Sequence, residues 1–242
     1  MNKVKVFSII NIIIAFLFFG VLISRSYQEI DVANGGAITG DVKFIGKPEA
    51  LPPLKVTKDN NVCGSQKPSE ELIVSKSGGV KNTIITIEKI EKGKKIPKEE
   101  ASITNQNCQY IPHVQAMVAG NFLNIINSDP ILHNTHGYLN QTETTFNLAL
   151  PIKDQKIKKK IKKIGIMNIM CDAGHTWMSA YIAVTENPYY AVTGDNGTFE
   201  IADIPAGKYQ LKAWHEKLGT QVAEVTVTEK GKAKVVFDKL KK

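Results

Sequence analysis

The sequence predicts an all-β protein, made of two β-sandwich modules behind an N-terminal hydrophobic helix. Short runs of β-branched and aromatic residues recur along the chain, and Gly, Pro, Asn and Asp punctuate them. After residue 26, only a doubtful stretch around KIKKKIKKI has a helical pattern. Short strands separated by turns favour a sandwich or a barrel.

The N-terminal segment predicts export. Lys3 and Lys5 precede the apolar run VFSIINIIIAFLFFGVLI at residues 6–23. Its length lies between that of a signal-peptide core, about 7–15 residues, and that of a spanning helix, about 18 or more. Residues 1–26 are therefore either a cleaved signal peptide or a membrane anchor. In both cases the lysines hold the N-terminus inside, so the remainder is periplasmic or on the outer face of the membrane.

Six segments carry the clearest strand patterns. Several of them alternate apolar and polar residues, as expected where one face of a sheet is buried. They are residues 37–46, 79–90, 121–128, 164–171, 178–186 and 208–214. A module boundary is predicted near residues 187–193, before the pattern GDNGTFEI and a PAG turn.

The positive charge is concentrated in one place. The chain has a formal net charge of +8, and PIKDQKIKKKIKKIG at residues 151–165 contains seven lysines. The segment has no interleaved aromatic residues and belongs to an exported chain, so it does not favour nucleic-acid binding. Two interpretations remain: a solvated strand edge that discourages aggregation, or a docking surface for an acidic partner.

The three cysteines predict one disulfide and one free thiol. Cys63 and Cys108 lie in loop-like contexts, and cysteines outside the cytoplasm tend to pair. Cys171 is then left unpaired in an oxidising compartment, for which metal ligation is an explanation. No nucleophile elbow, HExxH motif or phosphate-binding glycine loop is present, so no enzymatic activity is expected.

The segment CDAGHTWM brings three metal donors together. Cys171, His175 and Met178 lie between two predicted strands, and His133 in NSDPILHNTHGY could supply a fourth donor. Two imidazoles, a thiolate and a weak thioether suit copper. Zinc prefers four firm ligands and a hard cation needs carboxylates. We therefore predict one mononuclear copper ion, with packing of a buried thiol as the alternative.

These two motifs resemble those of the cupredoxins, in particular the amicyanin- and plastocyanin-like members. NSDPILHNTH is similar to the segment that supplies their first histidine, and CDAGHTWM is similar to their ligand loop. The resemblance implies His133, Cys171 and His175 as equatorial ligands and Met178 as the axial ligand, with one histidine edge near the surface. It also implies that Asn134 ties the two ligand loops together. Gly174 is one residue more than that loop usually has.

A second resemblance concerns the C-terminal module. G-x-F-x-I at residues 197–201 and P-A-G-x-Y-x-L at residues 205–211 resemble the carboxypeptidase regulatory-like, or transthyretin-like, β-sandwich. We therefore predict a cupredoxin-like domain at residues 36–186 and this module at residues 187–242. In the alternative division, residues 36–57 complete the C-terminal module. The combination resembles exported methylamine-utilisation-type proteins.

The function implied is that of a blue copper protein that carries single electrons between extracytoplasmic redox partners. A c-type cytochrome or a dehydrogenase, of acidic character, is the expected partner. Two alternatives stay open: a copper storage or delivery protein, and a cupredoxin-like scaffold without a functional metal. His113, His136 and His215 are given no metal role.

Overall fold

A computed structural model describes residues 27–140 and 142–240. The predicted hydrophobic helix, and with it the choice between signal peptide and anchor, lies outside these residues. Within them, no helix is both long and apolar enough to cross a membrane.

The described chain is nearly all β, which confirms the predicted fold class. Its one α-helix, α1, spans Asn60–Cys63. The strands in chain order are β1 Gln28–Glu29, β2 Gly36–Val42, β3 Leu54–Lys55, β4 Gln66–Lys67, β5 Ile84–Glu88, β6 Lys92–Gly93, β7 Ala101–Gln106, β8 Gln109–Ile111, β9 Val114–Val118, β10 Phe122–Asn127, β11 His133–Leu139, β12 Glu143–Leu150, β13 Lys156–Lys160, β14 Gly165–Met170, β15 Ser179–Thr185, β16 Tyr190–Val192, β17 Thr198–Ile204, β18 Gly207–His215, β19 Gly219–Val227 and β20 Lys232–Phe237.

The first sandwich packs a four-stranded sheet against a five-stranded one. The strand orders are β13-β10-β7-β8 and β12-β11-β14-β15-β9. Strand side chains alternate between faces, so Ile103 of β7 and Met167 and Ile169 of β14 point into one apolar core. Strands β11 and β14 are antiparallel neighbours. The start of β11 and the end of β14 therefore meet at one edge of the sandwich.

The second sandwich has its own core. Its sheets have the orders β16-β5-β18-β19 and β17-β2-β20. Ile38, Ile85, Phe199, Leu211 and Phe237 are among the side chains buried between them. The alternation in the G-x-F-x-I and P-A-G-x-Y-x-L segments places Phe199, Ile201 and Leu211 inside, as the sequence pattern predicts.

The strand pairing does not divide the chain into two sandwiches at residue 186. Strand β2 pairs with β17 and β20, so residues 36–42 belong to the second sandwich, as in the alternative division. Strand β5 pairs with β16 and β18 and also belongs there, although both divisions placed it in the first domain. The run NTIITIEKI suits the core of either sandwich, and its partners lie more than 100 residues away. Periodicity in one segment therefore could not assign it.

The two sandwiches meet through an apolar contact and a buried ion pair. Ile84, Val114 and Ala183 form a small shared cluster, with Trp214 packed against it. The His113 ring bonds to Glu216 across the contact, and both side chains are buried. The His113 ring also bonds to the Ser179 carbonyl, so this junction adjoins the start of β15.

The lysine-rich segment forms an edge strand, a position compatible with both of its interpretations. Among the described strands, β13 lies at the outside of its sheet and pairs with β10 alone. Lys156, Lys158 and Lys160 are exposed, while the residues between them are half-buried. The doubtful helical pattern in this segment is thus a strand: Ile157 packs against the apolar core, and the Lys158 and Lys160 ammonium groups lie over the Phe122 ring.

Candidate metal centre

Two loops at the same edge of the first sandwich carry the predicted donors. The loop after β10 leads to His133, the first residue of β11, and the loop after β14 carries Cys171 and His175. Met178 lies just before β15. Antiparallel pairing places His136 opposite Met170, so the two loops stand side by side.

Three donor atoms converge between these loops. The Nδ1 atoms of His133 and His175 are 3.1 Å apart, and the Cys171 Sγ lies 3.5 Å from the His175 Nδ1. One ligand atom from each of these residues falls within 4.8 Å of the others, and all three side chains are buried. The structure therefore brings together three of the residues that the sequence singled out.

A carboxylate holds the far nitrogen of each imidazole. The His133 Nε2 lies 2.8 Å from the Asp129 Oδ2, and the His175 Nε2 lies 2.8 Å from the Asp59 Oδ2. A carboxylate only accepts hydrogen bonds, so each Nε2 carries the proton. In the neutral rings both Nδ1 atoms are then lone-pair acceptors that face each other and the sulfur. Such a group of acceptors needs a cation or a proton at its centre.

The surroundings of Cys171 favour the thiolate. Burial raises the pKa of the Cys171 thiol, but bonds from His133 and from the backbone N–H groups of Asn134 and Ala173 outweigh it, so that pKa is lowered. Burial lowers the pKa of His133, but bonds to Asp129 and Cys171 raise it overall. The thiolate is the form of cysteine that binds metals.

The pKa of His175 is lowered. Burial is the main cause, and the nearby charge of His133 adds to it, against the bond to Asp59. Neutral imidazole is the metal-binding form of histidine. His175 is therefore held in the form that binds a metal.

Asn134 connects the two loops. Its backbone N–H donates to the Cys171 Sγ at 3.3 Å, and its side-chain Oδ1 accepts from the Asp172 N–H at 3.2 Å. The Tyr110 hydroxyl donates to the Asn134 carbonyl at 2.5 Å. These bonds fix the sulfur relative to the start of β11.

Met178 is buried and follows His175 by three residues. Its N–H donates to the His175 carbonyl at 2.9 Å, which closes a tight turn, and it shares the apolar core with Cys171 and Trp177. Its role as an axial ligand stays a prediction from the resemblance.

The predicted disulfide is present. Cys63 and Cys108 are bonded, which leaves Cys171 as the free cysteine of the described residues. Cys108 also lies close to Asp129 and His133. Because its sulfur is in the disulfide, that second group has no thiolate to offer a metal.

The extra residue Gly174 has a positive φ of 93°, which favours glycine. A Cβ there would lie 3.2 Å from the Lys58 Cδ. The Lys58 ammonium donates to the Ala173 carbonyl at 2.6 Å. The longer loop therefore accommodates a segment from elsewhere in the chain.

Sequence reasoning missed the roles of Asp59 and Asp129. Asp129 lies four residues before His133, so a local signal was available in NSDPILH. Asp59 lies 116 residues from His175, and no local motif connects them. The expected exposed histidine edge is also not found, since His133 and His175 both have 0% exposure.

The other histidines are held by different groups. His136 bonds to Asp172 and Thr144. His113 bonds to the Ser179 carbonyl and to Glu216. His215 accepts from two backbone N–H groups in the second sandwich. None of the three contributes a donor to the cluster of His133, Cys171 and His175.

A family model described as polysaccharide lyase family 4, domain II, matches residues 160–235. This is less than half of the chain, and the match runs from β13 into the second sandwich. The carboxypeptidase regulatory-like type of that sandwich therefore stays a prediction. No curated protein matches the chain.

The solved structures that this chain resembles include cupredoxins and a copper-containing enzyme. A purple cupredoxin from Nitrosopumilus maritimus has 19% identity and a TM-score of 0.31, over 35% of this chain and 99% of its own. Amicyanin from Paracoccus versutus has 18% identity and a TM-score of 0.32, over 42% and 97%. A copper-containing nitrite reductase from Thermus scotoductus SA-01 has 14% identity and a TM-score of 0.31 over 37% of this chain, which spans 23% of that chain. Likenesses this low carry no argument about function.

Proposed function

We propose that this protein holds one copper ion between His133, Cys171 and His175 and carries single electrons between extracytoplasmic redox partners. One observation carries the proposal. Three buried donor atoms converge within 4.8 Å, and carboxylates bound to both Nε2 atoms turn both Nδ1 atoms toward that point. The ion supplies reversible one-electron Cu(I)/Cu(II) chemistry when it is bound.

The donor set fits copper better than the common alternatives. A thiolate with two imidazoles, and Met178 as a weak fourth ligand, is the set of a blue copper site. Asp59 and Asp129 are occupied by ring nitrogens, so they do not complete a four-ligand zinc site or a hard-cation site.

The chain keeps the donors in place. The two carboxylates orient the imidazole rings, as outer hydrogen-bond partners of metal ligands do. The Asn134 N–H bond fixes the sulfur, and the surrounding core excludes water. Donors held from outside in this way change little with oxidation state, which suits electron transfer.

The proposed partner is a redox protein such as a c-type cytochrome or a dehydrogenase. Lys158 and Lys163 pair with Glu100 and Glu143, but none of the other five lysines of residues 151–165 forms an ion pair with a described residue. This edge offers positive charge to an acidic partner. An extracytoplasmic location, at the membrane if residues 6–23 are retained, agrees with the disulfide.

The test is a Cu(II) titration of the purified full-length chain, followed by visible absorption, beside Cys171→Ser. An intense thiolate-to-copper band at one equivalent, absent from the variant, supports the site. Loss of the band with a mild reductant and its return on reoxidation support electron transfer. A chain that retains no copper would leave the scaffold alternative and contradict the proposal.

Copper storage or delivery is a second candidate, because neither histidine edge reaches solvent. An electron must then leave through other groups. Slow exchange with a soluble redox protein by stopped-flow mixing, in a chain that binds copper stoichiometrically, would favour storage. Fast exchange would favour the main proposal.

A further inference from the structure

Residues 58–64, which we call the strap, cross the outer side of the ligand loop after β14. The strap contains α1 and ends next to Cys63, which is bonded to Cys108. At its other end, the Lys58 ammonium holds the Ala173 carbonyl. It is thus attached to the first sandwich at both ends.

The strap has a fixed internal conformation. The Cys63 N–H donates to the Asp59 carbonyl at 2.9 Å, and the Asn60 side chain donates to the Gly64 carbonyl at 2.9 Å. Asp59 itself has φ 53° and ψ 38°, in the left-handed region. A non-glycine residue in this conformation costs energy and persists only where its surroundings impose it. This conformation accompanies the bond from Asp59 to the His175 ring.

The bond places Asp59 over the one edge of His175 that faces away from the other donors. The His175 Nε2 lies 2.8 Å from the Asp59 Oδ2, while Nδ1 faces His133 and Cys171. The Asp59 side chain is 34% exposed and that of His175 is 0% exposed. Asp59 therefore lies between the ring and solvent.

We propose that Asp59, held by the strap, is a positioning residue that keeps the His175 Nδ1 directed at the Cys171 sulfur and seals the opposite ring edge from solvent. The inference rests on the proposed function only in naming the ion that these nitrogens hold. The orientation and the seal concern the metal-free chain as well. His175 is then closed to direct contact with small reagents and with a partner protein.

The test measures His175 in the metal-free full-length chain. Diethyl pyrocarbonate modifies accessible neutral imidazoles, and peptide mass spectrometry assigns the modification to each histidine. We expect His175 to be protected in the wild type and to react about tenfold faster or more in Asp59→Ala, because the charged bond that closes the ring edge is lost. His133 should stay protected in both. Asp172→Asn, which removes a carboxylate from the neighbouring His136, is the matched control and should leave His175 protected.

A second variant separates the seal from the charge. Asp59→Asn keeps an acceptor of the same shape, so His175 should stay protected, while the loss of negative charge should raise the reduction potential of the copper-loaded chain. Circular dichroism checks that each variant is folded. Equal His175 reactivity in the wild type and in folded Asp59→Ala would overturn the inference.

The two proposals fail in different ways. If the wild type takes up no copper while the protection pattern is as expected, the proposed function fails and the role of Asp59 stands. If the copper band is present but His175 reacts freely in the wild type, the role of Asp59 fails and the copper site stands.

Discussion

His133 and His175 have the same kind of partner, but the partners come from different distances along the chain. Asp129 and His133 are four residues apart and flank one loop. Asp59 and His175 are 116 residues apart and belong to different loops. Both Nε2 to Oδ2 distances are 2.8 Å. The same hydrogen bond is thus reached once by local geometry and once by tertiary structure.

The two carboxylates also differ in their surroundings. Asp129 is 7% exposed and accepts from the backbone N–H groups of Asn107 and Cys108 as well as from His133. Burial alone raises its pKa, but these three bonds lower it overall. Asp59 is one-third exposed and is held by the strap. Asp129 is thus fixed by several buried hydrogen bonds, whereas Asp59 is half-buried and depends on the position of the strap. A change that loosens the tertiary structure should therefore expose His175 before His133.

Removal of the disulfide should produce the largest effect on this difference between the two histidines. In Cys63→Ala/Cys108→Ala we expect the free energy of unfolding to fall by about 4 kcal/mol, because the bridge closes a long loop in the unfolded chain. The bridge spans 45 residues. We also expect diethyl pyrocarbonate to reach His175 and not His133, since the strap loses one attachment. Urea denaturation and peptide mapping measure the two effects.

Cys171→Ser is the control for that experiment, since it removes a cysteine and leaves the disulfide. Cys171→Ser should leave His175 protected. Its free energy of unfolding should fall by less than that of the disulfide variant. If His133 becomes reactive together with His175 in the disulfide variant, the two sides do not differ in the way proposed.

Asp129→Ala should have the next largest effect. It leaves the part-buried N–H of Asn107, the buried N–H of Cys108 and the ring of His133 without their acceptor, which we expect to cost about 3 kcal/mol. Since the folded pKa of Asp129 is lowered, its contribution to the free energy of unfolding is fully present above the unfolded pKa of about 4. It is lost as the pH falls through the lowered folded value.

Denaturation of the metal-free chain between pH 3 and pH 7 tests this contribution. The stability difference between the wild type and Asp129→Ala should shrink toward the acid end. Asp129→Asn keeps one acceptor and should lie between the two proteins at pH 7. A difference that stays constant with pH would contradict the assignment of these bonds to an ionised carboxylate.

The parts of the site predicted from sequence were the local ones. The order of His133, Cys171 and His175 and the loop-like contexts of Cys63 and Cys108 led to a donor cluster and a disulfide, and both are found. The place of β5 in the second sandwich and the bond from Asp59 to His175 were missed. Both depend on contacts between residues more than 100 positions apart. Alternation and spacing report which face a residue takes, and not which distant segment covers it.

His113 offers a third histidine and carboxylate pair, between the two sandwiches. Burial lowers the pKa of His113, but the bond and charge of Glu216 raise it overall, with the charge of Glu70 acting in the same direction. The contribution of the His113–Glu216 pair to the free energy of unfolding is therefore fully present below the unfolded pKa of about 6.5. It is lost as the pH rises through the raised folded value. The stability advantage of the wild type over His113→Gln should accordingly decrease between pH 6 and pH 9.

His215, in the second sandwich, should show a pH dependence of the opposite sign. Burial lowers its pKa to about 4, so its neutral form is favoured and the folded state loses stability as the pH falls below the unfolded value. The advantage of the wild type over His215→Gln should therefore increase from pH 5 to pH 8. Thermal unfolding of both variants across this range measures the two slopes, and slopes of equal sign would contradict the assignment.

The smallest effect is expected at Gly174, where the strap meets the ligand loop. Gly174→Ala must adopt a φ of 93°, which we expect to cost about 1 kcal/mol. The new Cβ also meets the Lys58 Cδ at 3.2 Å, but the Lys58 side chain is flexible and can shift. In the double variant Gly174→Ala/Lys58→Ala, the loss in free energy of unfolding should therefore equal the sum of the two single losses, as measured by urea denaturation. If the double variant instead recovers the lost stability, the strap presses on the loop through Lys58, and the cap on His175 depends on that contact as well as on Asp59.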